Sequence, residues 1–195
     1  MAEYRENTPI SDATKFKLGD VIYVTGELVL ARDEAHKKLL EEGAPLDLNG
    51  AVVYHCGPVV TKRDGEWKVV AAGPTTSIRM EIFEDKFIEK FHPAVIVGKG
   101  GMGQKTLKAL KEHGAVYAAY TGGCGALAAE RIKGVKEVHF LDELGIPEAV
   151  WVFKVEDFGP LVVTMDAHGN SYYDEVDAKA KSNLDTLLGK IEGEG

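Results

Sequence analysis

The chain has 195 residues, 45% hydrophobic and 28% charged, with 31 acidic against 23 basic side chains and a formal net charge of −8. That is one domain's length and enough apolar material for a sizeable core, which excludes a disordered chain, and the acidic balance argues against nucleic acid or an anionic membrane as partner. Two cysteines, Cys56 and Cys124, make no disulfide framework and cannot alone supply a zinc site or an iron–sulfur cluster. The first residues carry no apolar signal core and no run is long enough to span a bilayer, so the expectation is a cytoplasmic protein.

In chain order, residues 1–17 are polar and read as an arm or an early edge strand. Val21–Val24 reads as a strand and Arg32 to about Glu42 as a helix. Ala51–Tyr54 and Trp67–Ala71 are strand-like runs flanking Lys62–Glu66, where Asp64–Gly65 is a hairpin-turn signal. Met80, Phe83, Phe87 and Phe91 recur at helical spacing and predict a core-facing helix over 80–91. A β-α-β pattern follows, with a buried strand at Ala94–Val97, a helix over Gly103–His113 and a second strand at Ala115–Ala119. Then come a short helix near Leu127–Arg131, strand-like runs at Val138–Phe140, Val150–Phe153 and Leu161–Val163, and a last helix from about Asp174. Hairpin and crossover connections together predict an α/β domain over 18–188, a mixed sheet with flanking helices. Residues 189–195 read as a helix end fraying into a solvated tail.

Four strand-like runs end in glycine-rich polar loops: Thr25–Asp33, Gly73–Arg79, Gly98–Gly103 and Thr121–Gly125. Ligands of open α/β sheets gather at such carboxyl ends of strands. In an acidic chain these loops collect Arg32, Arg79 and Lys99, residue types that grip carboxylates or phosphates. Pairing with Asp33, Glu81 or Glu84 is the other use open to the same cations. Thr75, Thr76 and Ser77 beside Arg79 exceed what one helix cap needs and read as an oxyanion or carboxylate cradle. Gly98–Gly103 matches G-x-G-x-x-G between strand and helix, but Tyr120–Gly123 stands where an acidic ribose ligand belongs, and Gln104 interrupts a P-loop. What survives is a helix start whose bare amides favour an anion. His36 lies four residues after Arg32 and shares its helix face, close to any ligand Arg32 holds. Neighbouring strand residues face opposite ways, so His55 does not readily activate Cys56, which reads as buried and structural. Cys124 has no basic neighbour in sequence, and His92, His113, His139 and His168 lack metal-ligand spacing.

Taken together, Gly26–His36, Tyr54–Pro58, Ala72–Met80 and Gly98–Gly100 resemble the β subunit, or carboxy-terminal domain, of class I fumarate hydratases and the closely similar β subunit of L(+)-tartrate dehydratase, from about Leu18 to Leu188. The resemblance implies a swivelling β/β/α domain closing over an active site shared with a separate α subunit, in a hetero-oligomer. It implies reversible hydration of fumarate to malate, with an oxygen-sensitive [4Fe–4S] cluster whose cysteines belong to the α subunit, so that this chain supplies no metal ligand. By motif match, Arg32, Arg79 and Lys99 would hold the two carboxylates of a dicarboxylate substrate, with Thr76 beside them. Thr75 would be the candidate base and the partner would supply the acid; His36, Gly98 and Gly100 would border the site. Tartrate and a methyl-substituted fumarate fit the same motifs, and Ile78 stands where many relatives carry glycine. Outside the family, the glycine loop leaves two rival readings, a nucleotide-binding regulatory module and an anion-binding domain without catalysis.

Overall fold

Side-chain alternation sorts the strands into two cores. In the computed structural model, which describes the backbone of residues 1–193 and the side chains of 1–188, the elements are β1 (Glu3–Asn7), β2 (Val21–Leu30), α1 (Asp33–Glu42), β3 (Val52–Tyr54), β4 (Val59–Arg63), β5 (Glu66–Ala71), a 3-10 turn (Ser77–Ile82), α2 (Glu84–Phe91), β6 (Val95–Gly98), α3 (Gln104–His113), β7 (Val116–Ala119), α4 (Gly125–Glu130), β8 (Ile132–His139), α5 (Leu141–Leu144), β9 (Val150–Met165) and α6 (Tyr172–Gly193). Strands β1-β2-β3-β6-β7 run parallel, β9 lies antiparallel beside β7, and β8 lies beyond it. β9 also pairs with β2, from Val21↔Val162 to Leu30↔Trp151, which closes β2-β3-β6-β7-β9 into a ring. The domain is therefore α/β, with a mixed sheet and flanking helices.

On one face of these strands Val24, Leu28, Val52, Val95, Trp151 and Phe153 form the first core. The alternate residues Val29, Val53, Ile96 and Tyr117 pack with Leu39 of α1, Phe87 of α2 and Leu110 of α3. Strands covered on both sides read as continuous apolar runs, which is why the parallel ones stand out in the sequence. Each fully buried Leu or Phe contributes about 1.5–3 kcal/mol.

Several expectations are corrected by this arrangement. The turn at Asp64–Gly65 does close a hairpin, but its first strand is β4; Ala51–Tyr54 supplies β3 of the main sheet. Val21–Val24 is only the first half of β2, whose register shifts on either side of Val24 carry the ladder past Gly26. The runs at 150–153 and 161–163 are one strand, β9. The helix over 80–91 divides into the 3-10 turn and α2. Of the two readings of residues 1–17, the edge strand forms: β1 pairs with β2, while Ile10, Ala13 and Phe16 join the first core. The backbone of 189–193 continues α6, in line with the helix end expected there, and the last residues of the expected tail, Glu194 and Gly195, lie outside the described residues. No helix among the described residues is long and apolar enough to cross a membrane.

Candidate active site

Arg32 follows β2, Lys99 follows β6, and the 3-10 turn carries Arg79 to the same end of the sheet. Ala31 extends the β2–β3 ladder by one bond to the Tyr54 carbonyl (3.1 Å), so Arg32 sits directly at the strand end and caps α1. Its guanidinium is clamped between Asp33 Oδ2 (3.1 Å) and Glu148 Oε1 (2.9 Å). Gly57 makes room for it, because a Cβ there would meet Arg32 Nη1 at 3.0 Å and the Pro147 carbonyl at 2.6 Å. Arg79 reaches the same Asp33 oxygen at 3.0 Å, with its side chain 54% exposed. One carboxylate thus bridges both arginines and sets them side by side. Of the three acidic partners weighed from sequence, Asp33 takes that role, whereas Glu81 and Glu84 go elsewhere.

Residues 74–77 form an extended segment at the ends of β3 and β6. The Thr75 amide donates to the His55 carbonyl (2.7 Å), the Lys99 amide to the Thr75 carbonyl (3.2 Å) and the Ser77 amide to the Lys99 carbonyl (3.0 Å). These bonds bring half-buried Thr75 and exposed Thr76 into one cluster with exposed Lys99. The turn after Lys99 needs Gly100, whose φ is +77°. The structure therefore gathers Arg32, Thr75, Thr76, Arg79 and Lys99 at one end of the sheet. Thr76 does not cap the 3-10 turn with its side chain. Ser77 points inward, where its Oγ lies 2.9 Å from His55 Nδ1 and 2.9 Å from the Tyr117 hydroxyl. Gly98 is what admits it, since a Cβ there would stand 1.8 Å from Ser77 Oγ.

His36 turns away from the cations. It is fully buried, with Nδ1 3.2 Å from the Arg32 carbonyl and Nε2 3.4 Å from Glu84 Oε2; His55 Nε2 lies 3.1 Å from the same oxygen. Burial pushes the His55 imidazole down, toward its neutral form. Burial alone would raise the Glu84 carboxyl, and positive charge at the two imidazole edges facing it is what holds it down. Sequence spacing hid this cluster, because its members come from α1, the end of β3 and the start of α2. Cys56 is buried and desolvation pushes its thiol up, in keeping with a structural role.

The amides expected to be bare at the start of α3 are already engaged. Glu81 accepts from the amides of Gly103 (2.7 Å), Lys105 (3.1 Å) and Thr106 (3.3 Å) and from the Thr106 hydroxyl (2.6 Å). The chain's own carboxylate occupies the place a phosphate would take, which removes the ground for the nucleotide reading. Glu81→Ala is expected to lower stability by about 2 kcal/mol, as loss of a charged cap. A lower urea midpoint at unchanged slope would show it; an unchanged midpoint would count against the cap.

A sequence model of the family described as Fumarase C-terminus matches residues 5–176. The chain belongs to that family. It is 49% identical over 183 residues to a Methanocaldococcus jannaschii protein provisionally named as an L(+)-tartrate dehydratase β subunit, covering 91% of this chain and 94% of the relative. It is 46% identical over 168 residues to the L(+)-tartrate dehydratase β subunit of Escherichia coli K12, covering 84% and 83%. A Geobacillus stearothermophilus protein provisionally named as a class I fumarate hydratase is 49% identical over 174 residues. There the match takes in 89% of this chain but only 33% of the relative. Both named activities are hydro-lyase reactions.

A [4Fe–4S] cluster, which the resemblance implies for the enzyme, does not fit the residues of this family member. Such clusters take four cysteine thiolates, and the chain has two cysteines, one of them buried with its thiol kept protonated. A cavity of about 680 Å³ lined by Leu40, Phe83, Lys86 and Lys90 lies between α1 and α2, apart from the cation cluster.

Proposed function

We propose that this chain is the β subunit of an iron–sulfur-dependent fumarate hydratase, sharing its active site with an α subunit that holds the [4Fe–4S] cluster. The observation that carries the reading is the pairing of Arg32 and Arg79 through Asp33, next to Lys99 and Thr75, in a member of the Fumarase C-terminus family. Three cations on an acidic chain suit a substrate with two carboxylates. Bidentate arginines fix orientation, and the lysine adds a point charge.

The chemistry follows from charge. Removing a proton from the carbon beside a carboxylate builds a doubly charged aci-carboxylate, and cations already in place stabilise that charge where it develops. In the dehydration direction Thr75 takes that proton as its alkoxide, which the neighbouring positive charge stabilises, and in hydration the hydroxyl returns it to the carbon. The acid that serves the leaving hydroxyl comes from the α subunit. Ile78 and Ile82, exposed on the same 3-10 turn as Arg79, support a partner covering the site.

A second reading, the L(+)-tartrate dehydratase β subunit, is favoured by relatives of matching length that carry that name. The experiment co-purifies the chain anaerobically with its α subunit and offers the complex fumarate and L(+)-tartrate in turn. Hydration of fumarate by the complex, and none by the isolated chain, is the expected result. Turnover of tartrate alone would move the assignment to the second reading, and sustained hydration by the partner-free, metal-free chain would overturn the shared site. Thr75→Val is expected to lower kcat by about 10²–10⁴-fold, the usual worth of a positioned base. Unchanged kcat would remove Thr75 from that role.

A further inference from the structure

Beneath the cation cluster, four polar atoms are buried with nothing hydrogen-bonded to them: Nε2 of His36, Nε2 of His55 and both carboxylate oxygens of Glu84. All three side chains are fully buried. Their ligand atoms lie within 4.8 Å of one another. Buried polar atoms are nearly always partnered, so four orphans around one point call for something between them.

The outer nitrogen of each ring decides what its Nε2 can be. His36 Nδ1 faces the Arg32 carbonyl, which only accepts, so Nδ1 carries the proton and Nε2 of the neutral ring is a bare lone pair. The same logic runs along the chain of contacts from His55. The Tyr117 hydroxyl reaches both Ser77 Oγ (2.9 Å) and the Gly100 carbonyl (3.0 Å); when its one proton goes to the carbonyl, Ser77 donates to Tyr117 and His55 Nδ1 donates to Ser77. Nε2 of His55 is then a bare lone pair as well. Two lone pairs and a carboxylate converging in a dry space repel one another unless a cation stands among them.

We propose that His36, His55 and Glu84 form a closed site for a divalent transition metal of the zinc class, held by the two Nε2 atoms and the Glu84 carboxylate. Donors at 2.0–2.1 Å from zinc stand roughly 3.3 Å apart around a tetrahedron. The Nε2–Oε2 separations here are 3.4 and 3.1 Å. The two rings meet at 73° rather than stacking, so they approach the common point from different directions. Each outer N–H is held by an oxygen, Arg32 carbonyl or Ser77 hydroxyl, which is how metal-bound imidazoles are oriented. With no exposed face the site has no open position for substrate; the ion is structural, is taken up as the chain folds, and ties α1, β3 and α2 together under the cations. The inference stands apart from the choice of substrate or partner.

The test begins with the metal content of the full chain, purified without chelators. About one zinc-class ion per chain is expected. Refolding the chain with cobalt(II) is expected to give the visible absorption of a four-coordinate site. Ser77→Ala, which removes the partner of an outer nitrogen and leaves all three donor side chains in place, is expected to weaken metal affinity by about 10–100-fold, and Glu84→Gln to lose the ion. A chain that carries no metal and takes up neither zinc nor cobalt on refolding would overturn the proposal. Nitrogen spectra of His36 and His55 would then identify the cation as a proton shared with Glu84. Metal retained equally by Glu84→Gln would also overturn it, because such an ion sits elsewhere.

Discussion

Alanine in place of Gly98 is expected to cost the chain about 3 kcal/mol of stability and the assembled enzyme most of its turnover. The new Cβ would stand 1.8 Å from Ser77 Oγ and 3.2 Å from both Ser77 Cβ and His55 Nδ1. A serine can rotate, but rotating this one breaks its bonds to His55 and Tyr117, and its own Cβ still crowds the methyl. The strand cannot retreat, because β6 is paired on both sides. Any shift of Ser77 passes through its bond to the Lys99 carbonyl into the cluster above. Urea titrations of Gly98→Ala and of Gly134→Ala measure this directly. At Gly134 an added Cβ meets nothing within 4 Å, so that control should stay within about 0.5 kcal/mol of wild type. Adding Ser77→Ala to Gly98→Ala is expected to cost less than the sum of the two single changes, since the worst contact disappears. Equal midpoints for the two glycine variants would show that the close approach does not exist.

Arg79→Ala is expected to act on activity alone, lowering kcat/KM of the complex by about 10²–10³-fold, as for loss of one oriented donor at a developing anion. Its side chain is more than half exposed and its ion pair with Asp33 is a surface pair, worth about 0–1 kcal/mol to the fold. Arg32→Ala should differ. That guanidinium is mostly covered and pairs with both Asp33 and Glu148, so its loss strips Glu148 of its cation, leaves Asp33 only Arg79, and reduces stability along with turnover. Steady-state kinetics and thermal melts of the two variants separate these roles. Near-normal turnover in Arg79→Ala would take it out of the site.

The sheet was legible where strands are buried on both faces, because runs such as Val95–Val97 and Val150–Phe153 admit few other uses. β9 was read as two strands because Asp157, Gly159 and Pro160 look like a break. In the fold, Asp157 takes φ +48° and the ladder with β2 continues on both sides of it. The cations were legible because glycine-rich loops at strand ends are local patterns. Their partners were not: Glu148 is 116 positions from Arg32, and only the meeting of β2 with the segment before β9 brings them together. The capping role of Glu81, weighed from sequence only as a partner for the cations, was hidden for the same reason: it caps a helix that begins 23 residues later, whereas caps are sought within one turn. His55 and Glu84 were each weighed for other partners and carried no signal of meeting; the cluster exists only once α1 and α2 lie against the sheet.

The ring of strands has a history as well as a shape. β9 leaves the ribosome after every other strand, yet it pairs with β2, β7 and β8. Val150 follows Leu30 by 120 positions, about 6–24 s of translation at 5–20 residues per second. Throughout that interval the nascent polypeptide holds β2 with one open edge, a template for any extended chain nearby. Neighbouring copies on the same message are the most abundant such chains, so slowing elongation between these two strands should raise the yield of entangled, insoluble product even though the released protein is unaltered.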